Sequence, residues 1–299
     1  MDPTLKTKTT EALKEGILAF SPQMKTAAKY VIDYPSDFGL DSIRETARKA
    51  QVSTYTLVNM SKTMGFESYE AFRQPYRHAL VASAAVRADP DWIASHRDSS
   101  EFGKIYADAA KNALSIVTHS LERQQLKELE DITEMLISAN AVYLTAVRSS
   151  YAAAYYLHYV GRMALPTLQL IPRHRNSAID DLNDAKEGDV LIAITVTPYS
   201  RETIEACAFA KKRGVKLLLI TDSEVVSPEL QTEHTLVAST LTTHNFGCFS
   251  GMMALIELLM AFLMKRGGLA SRERIKSYEK LRLENNAYWV AQKKTLVFP

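Results

Sequence analysis

From residue 142 onward, short apolar runs rich in β-formers alternate with helical patterns, and this alternation restricts the fold more than any other feature. The runs are Val142–Val147, Thr167–Ile171, Val190–Val196, Lys216–Thr221 and His234–Ala238. Helical patterns at Ser150–Met163, Ser200–Arg213 and Phe249–Lys265 separate most of them. Strands joined through helices pair in parallel, so a five-stranded, doubly wound parallel sheet is expected. The first runs show no alternation of apolar and polar residues, as expected when helices cover both faces.

The first 80 residues follow a different period. Met24, Ala27, Ala28 and Val31 recur at i, i+3, i+4 and i+7, the mark of one buried helical face. Pro35 is expected to stop that helix. Asp41 is placed as the cap of the next, Ser42 to Ala50, with Gln51 and Val52 as a turn. Ser53 is expected to cap a further helix, Thr54 to Met64, closed by Gly65. A fifth helix runs from Tyr69 to about Val81. Residues 84–100 lose periodicity and contain Pro90, so they read as a linker, followed by helices at Glu101–Ser120 and Arg123–Ser138. A terminal amphipathic helix is expected over Ser271 to about Gln292. The chain is thus divided into a helix–turn–helix domain at 1–82, a linker and connecting helix at 83–125, an α/β domain at 126–267 and a tail at 268–299.

The pair of helices in SIRETARKAQVSTYTLVNMSKTMGF (Ser42–Phe66) is laid out to put one helix into a DNA groove. On the second helix, Leu57, Met60, Ser61 and Met64 fall inward, while Tyr55, Asn59 and Lys62 fall outward with Thr56 flanking. Asn59 suits an adenine edge, and Tyr55 or Thr56 suits bases or phosphates. Ser53, Thr54 and Lys62 are assigned to phosphates, aided by the positive helix N-terminus. Arg44, Arg48 and Lys49 on the first helix are placed to grip the backbone. The same spacing also fits an ordinary helical hairpin with a solvated polar face.

Two strand-end loops are candidates for a small-molecule site. Thr145–Ala152 (TAVRSSYA) puts Ser149 and Ser150 at a helix start, with Arg148 beside them. Thr195–Thr203 (TVTPYSRET) offers Thr195, Thr197, Ser200 and Thr203 at another helix start. Both leave carboxyl ends of strands, where open α/β sheets bind ligands. The competing reading is that these hydroxyls are only helix caps. His174 and His244 are expected on the same sheet edge, and Glu202 is expected to complement a helix dipole. Tyr278, Leu281, Tyr288 and Trp289 are expected to pack the terminal helix onto its own or a partner subunit.

Composition sets the outer limits. Apolar residues make up 46%, enough for real cores, and the net charge of +2 gives no large nucleic-acid field. The first 80 residues carry all of that excess. Cys207 and Cys248 stand far apart without CxxC spacing, pointing to a reducing compartment and no metal site. MDPTLKTK has no apolar h-region, so no signal peptide is read and a cytoplasmic protein is expected. The longest apolar run, Gly251 to Met264, is too short for a bilayer and contains Glu257. No cofactor motif is present.

The segment FSPQMKTAAKYVIDYPSDFGLDSIRETARKAQVSTYTLVNMSKTMGFESYEAFR resembles the N-terminal domain of the RpiR family of bacterial transcription regulators, over about residues 5–80. In its recognition helix Thr54, Tyr55, Asn59 and Met60 replace the family's common Pro, Ala, Arg and Phe. Residues about 126–265 resemble the SIS, or sugar isomerase, domain that follows it in that family. The phosphate loop I-S-x-S-G-x-T of the family stands here as Ile194 to Ser200, with Pro198 at the Gly position. Its G-x-G-x-S loop stands as Ala146 to Ser150, with Arg148 at the second Gly. The resemblance implies a regulator that binds double-stranded operator DNA as a homodimer or tetramer, on an inverted repeat, and senses a phosphosugar. The alternatives are a sugar-phosphate isomerase, with Glu202 or His244 as base, and a regulator that senses a non-phosphorylated acid held by Arg148.

Overall fold

The computed structural model describes residues 5–83, 90–174, 177–227, 230, 232, 234–240 and 246–289. The expected His244 lies outside them, as do residues 84–89 of the expected linker.

The N-terminal unit is all helix: α1 (Leu5–Gly16), a 3₁₀ turn at Ile17–Ala19, α2 (Pro22–Asp33), α3 (Pro35–Leu40), α4 (Ile43–Lys49), α5 (Thr54–Thr63) and α6 (Tyr69–Ser83). Its core gathers Leu13, Ile17, Met24, Ala27, Ala28, Val31, Phe38, Leu57, Met60, Phe72 and Tyr76. The apolar face read from α2 is that core face. Two boundary expectations are corrected. Pro35 ends one helix but also opens α3, because a proline at the first helical position lacks only an N–H that would have no partner anyway. The cap of α4 is Ser42, whose hydroxyl accepts from the Glu45 N–H at 3.3 Å, and not Asp41. Asp41 instead closes α3.

Within the stretch read as a linker, Asp91–Arg97 forms a short helix, α7, packed on α8 (Glu101–Glu122). Seven residues are too few to display a period, so the sequence concealed it. Helix α9 (Leu126–Ser138) follows, and then the sheet: β1 (Val142–Thr145), α10 (Ser150–Gly161), β2 (Leu168–Ile171), α11 (Ala178–Asp181), β3 (Val190–Ile194), α12 (Arg201–Lys212), β4 (Lys216–Thr221) and β5 (His234–Val237). All pairings are parallel, in the order β2-β1-β3-β4-β5.

The sheet shows why its strands lack polar alternation. Side chains point alternately to opposite faces, and here both faces are cores. Val142, Leu144, Val190, Ile192, Ile194, Leu218 and Ile220 enter one, with α9, α10 and α13 (Ser250–Glu284). Tyr143, Leu191, Ala193, Leu217 and Leu219 enter the other, with Ala206, Cys207 and Ala210 of α12. Burial raises the Cys207 thiol pKa to about 12.

The last two expected helices form one run, α13, broken only at Gly268, whose φ of 55° and ψ of −131° are open to glycine and strained for other residues. Beyond that break, Arg274 donates to the carbonyl oxygens of Met163 and Ala164. Tyr278 stacks between Arg162 and Arg282 at 4.9 and 4.0 Å. Leu281 and Trp289 remain 52% and 90% exposed on this chain. No helix among the described residues is long and apolar enough to cross a membrane.

Candidate functional site

Helix α5 starts where Ser53 adopts extended backbone and its hydroxyl accepts from the Thr56 N–H at 3.0 Å. It ends before Gly65, whose φ is +81°. Leu57, Met60 and Ser61 are buried, fixing the rotation of the helix. Tyr55 is therefore 76% exposed, and Asn59 and Lys62 are exposed beside it. Asn59 also donates towards Met24 Sδ of α2 at 3.9 Å. Thr54 and Arg44 are exposed as well. One residue departs from expectation: Thr56 is buried, and its hydroxyl shares a 2.9 Å hydrogen bond with Ser53 Oγ. It holds the helix start and is turned away from any groove. Arg48 and Lys49 are spent in part within the protein, on Glu45 at 2.5 Å and on Asp37 and Asp41 at 2.8 Å each.

At the carboxyl edge of the sheet, the loops after β1 and β3 bring two helix N-termini to one side. Neither is capped by the serine that precedes it. Ser149, before α10, has helical backbone (φ −63°, ψ −32°) and makes no capping bond. Ser200, before α12, turns its hydroxyl to Glu202 Oε2 at 2.5 Å instead. Helix geometry leaves the first N–H groups of each helix without helical partners. Arg148 has φ of +55°, a left-handed conformation uncommon outside glycine. Its guanidinium lies 3.8 Å from Glu202. The Ser200 hydroxyl, Glu202's own N–H and Arg148 together hold the Glu202 carboxyl below the usual range.

The remaining hydroxyls divide by burial. Ser149 and Thr197 are exposed, whereas Ser150, Thr195, Ser200 and Thr203 are buried. Thr195 Oγ1 accepts from the Ser200 N–H at 3.3 Å and so shapes its own loop. Thr197 gives its N–H to Asp222 Oδ2 at 3.0 Å. Thr203 Oγ1, 1% exposed in the first turn of α12, has no hydrogen-bond partner among the described residues. His174 is exposed in the loop after β2. No group of three His, Cys, Asp or Glu residues that could hold a metal occurs among the described residues.

Sequence reasoning missed where the helical domain meets this edge. Lys29 of α2 donates to Asp33 Oδ2 at 2.8 Å, Ser223 Oγ at 2.8 Å, the Val225 carbonyl at 2.6 Å and Tyr199 OH at 3.2 Å. Ser223 in turn donates to Asp33. Tyr199 belongs to the loop after β3, and Ser223 and Val225 to the loop after β4. Burial opposes the Lys29 charge, but Asp33 and Tyr199 together outweigh it and raise its pKa. Burial raises the Asp33 carboxyl, Lys29 and Ser223 notwithstanding. In the sequence, Lys29 is one cation on the flank of an apolar helix face, and nothing local marks its partners.

Residues 135–265 match the family model of the SIS domain. The chain is 22% identical over 230 residues to the bifunctional protein glk of Burkholderia orbicola, covering 75% of this chain and 35% of that protein. It thus spans about a third of the length of the first curated relatives it matches. It is 22% identical over 210 residues to an HTH-type transcriptional regulator of Caldanaerobacter subterraneus, covering 70% of this chain and 72% of the relative. Among solved structures, the sugar isomerase domain of an RpiR transcription factor from Sphaerobacter thermophilus superposes with a TM-score of 0.56 at 22% identity, covering 59% of this chain and 99% of that one. The Vibrio vulnificus NanR protein, complexed with ManNAc-6P, gives a TM-score of 0.56 at 20% identity over 94% of this chain and all of its own. The chain therefore carries a helical N-terminal region followed by a SIS domain, and over most of its length it is similar to proteins named as HTH-type transcriptional regulators.

Proposed function

We propose that this protein is a ligand-responsive, DNA-binding transcription regulator whose SIS domain senses a small anionic metabolite, a phosphosugar in the first instance. The observation that carries the reading is the outward Tyr55–Asn59–Lys62 face of a Ser53-capped helix, on a chain whose sheet edge presents two helix N-termini that their preceding serines do not cap. The groove face supplies base and phosphate contacts. The first-turn N–H groups of these helices and Arg148 supply what an anion needs. NanR, which shares the fold over most of its length, carries a sugar phosphate, and this supports the same class of effector here. The working form is a symmetric cytoplasmic dimer, or a dimer of dimers, on an inverted-repeat operator.

Binding to DNA from upstream of the gene itself tests the reading. Sequence-selective retention at moderate salt is expected, and none at all would reject it. Asn59→Ala should weaken binding by about 1–3 kcal/mol and relax selectivity at one base pair. Lys62→Ala should weaken all sequences alike and reduce the salt slope by about one.

The isomerase alternative needs a base near the substrate's C1 and C2. Glu202, at the start of α12, is engaged by Ser200 and Arg148. Aldose–ketose turnover by the whole chain would restore that reading.

A further inference from the structure

The helical domain rests on one of the loops of the candidate anion site, the one after β3, and on the neighbouring loop after β4. Lys29 and Asp33 of α2 hold Tyr199, Ser223 and Val225. Lys14 of α1 and Arg123, just beyond α8, both pair with Glu224. Val225 is buried in the helical domain's own core. The other face of α2 meets the recognition helix, where Met24 receives Asn59. One helix therefore spans from the ligand loop to the DNA-reading helix.

We infer that Lys29 and Tyr199 form a latch through which occupation of the 195–203 loop sets the position of the helical domain, and hence its DNA affinity. The inference rests on the regulator reading above. The chemistry of Lys29 suits a releasable contact. An ammonium has three protons, but Lys29 has four oxygen partners within 3.2 Å. The bond to Tyr199 is the longest. Releasing it leaves every Lys29 proton with an acceptor, so the usual penalty for an unpaired buried donor does not arise. An anion drawn to the N-terminus of α12 acts beside Tyr199, on a loop also held by Thr197 to Asp222, Thr195 to Ser200 and the Tyr199 ring under the Lys29 ammonium at 5.2 Å. Shifting that hydroxyl by about an ångström is enough to break a bond already near the hydrogen-bond limit. Ligand and helical domain then compete for one loop, which is a coupling free energy between two sites.

Hydrogen exchange on the full chain tests the latch without a known effector or operator. Tyr199→Phe removes one hydroxyl and leaves the ring. It should speed exchange at least about threefold both in the 195–203 loop and in Pro22–Asp33. Lys29→Met should do the same from the other side. Faster exchange confined to the substituted element in either variant overturns the latch. With inorganic phosphate as probe, protection should reach α2 in the wild type and stop at the loop in Tyr199→Phe. Equal spread in both overturns it. On the gene's own upstream DNA, Tyr199→Phe should shift ligand-free affinity by at least about fivefold, and an unchanged affinity counts against the coupling. A wild type that binds no DNA rejects the regulator reading alone, and phosphate that protects nothing rejects the anion site alone; the ligand-free exchange result still decides the latch.

Discussion

Serine stands before helices in both halves of the molecule, and at the two candidate ligand loops it is used differently from the helical domain. In the helical domain Ser21, Ser42 and Ser53 all have extended backbone, and each hydroxyl accepts from an N–H three residues on, at 3.4, 3.3 and 3.0 Å. At the sheet edge Ser149 has helical backbone that denies its hydroxyl this reach, and Ser200 has the right backbone but gives its hydroxyl to Glu202. The same residue type caps helices in the helical domain and leaves these two helix starts without a serine cap at the proposed anion site. Capping is thus a matter of ψ and of neighbours, beyond residue identity.

That contrast can be tested in order of expected effect. The largest belongs to the packing that aims α5. Leu57 is 0% exposed, and Leu57→Ala should destabilise the helical domain by about 2–5 kcal/mol, read by urea unfolding. A cost near zero would mean the outward face of α5 is not fixed by this core. Next comes the serine pair. Ser53→Ala should cost about 1 kcal/mol, while Ser149→Ala should stay within about 0.5 kcal/mol yet weaken protection by phosphate. Equal losses of stability in the two variants would break the comparison. The smallest effect concerns Glu202, which places a carboxylate beside Arg148 and the Ser200 hydroxyl. Glu202→Gln should tighten phosphate binding roughly two- to fivefold by calorimetry, as expected for an exposed ion pair. Weaker binding would make Glu202 part of the site and not a competitor for it.

The particular elements explain what could be read in advance. The five strands were legible because long apolar runs can be covered only by helices on both faces. Helix α5 was legible because Ser53, Leu57, Met60 and Gly65 each speak for the same helix. Helix α7 was hidden by its brevity, and α3 by Pro35, which can end one helix and begin another. Within the candidate site, the exposure of Tyr55, Asn59 and Lys62 followed from helical phase, but the burial of Thr56 did not, since it lies on the boundary between the faces. Ser150, Thr195 and Thr203 looked like ligand hydroxyls in the sequence and are inside the fold.

Local spacing by itself determined the parallel sheet, the two-helix element and the positions of the strand-end loops, because those follow from periodicity and from backbone preferences within a few residues. The tertiary structure alone decided which serines cap, that Glu202 approaches Arg148, and that Lys29 reaches Tyr199 and Ser223. These contacts join residues up to 194 positions apart, and a side chain's partner at that range is set by how the domains pack, which no local pattern encodes.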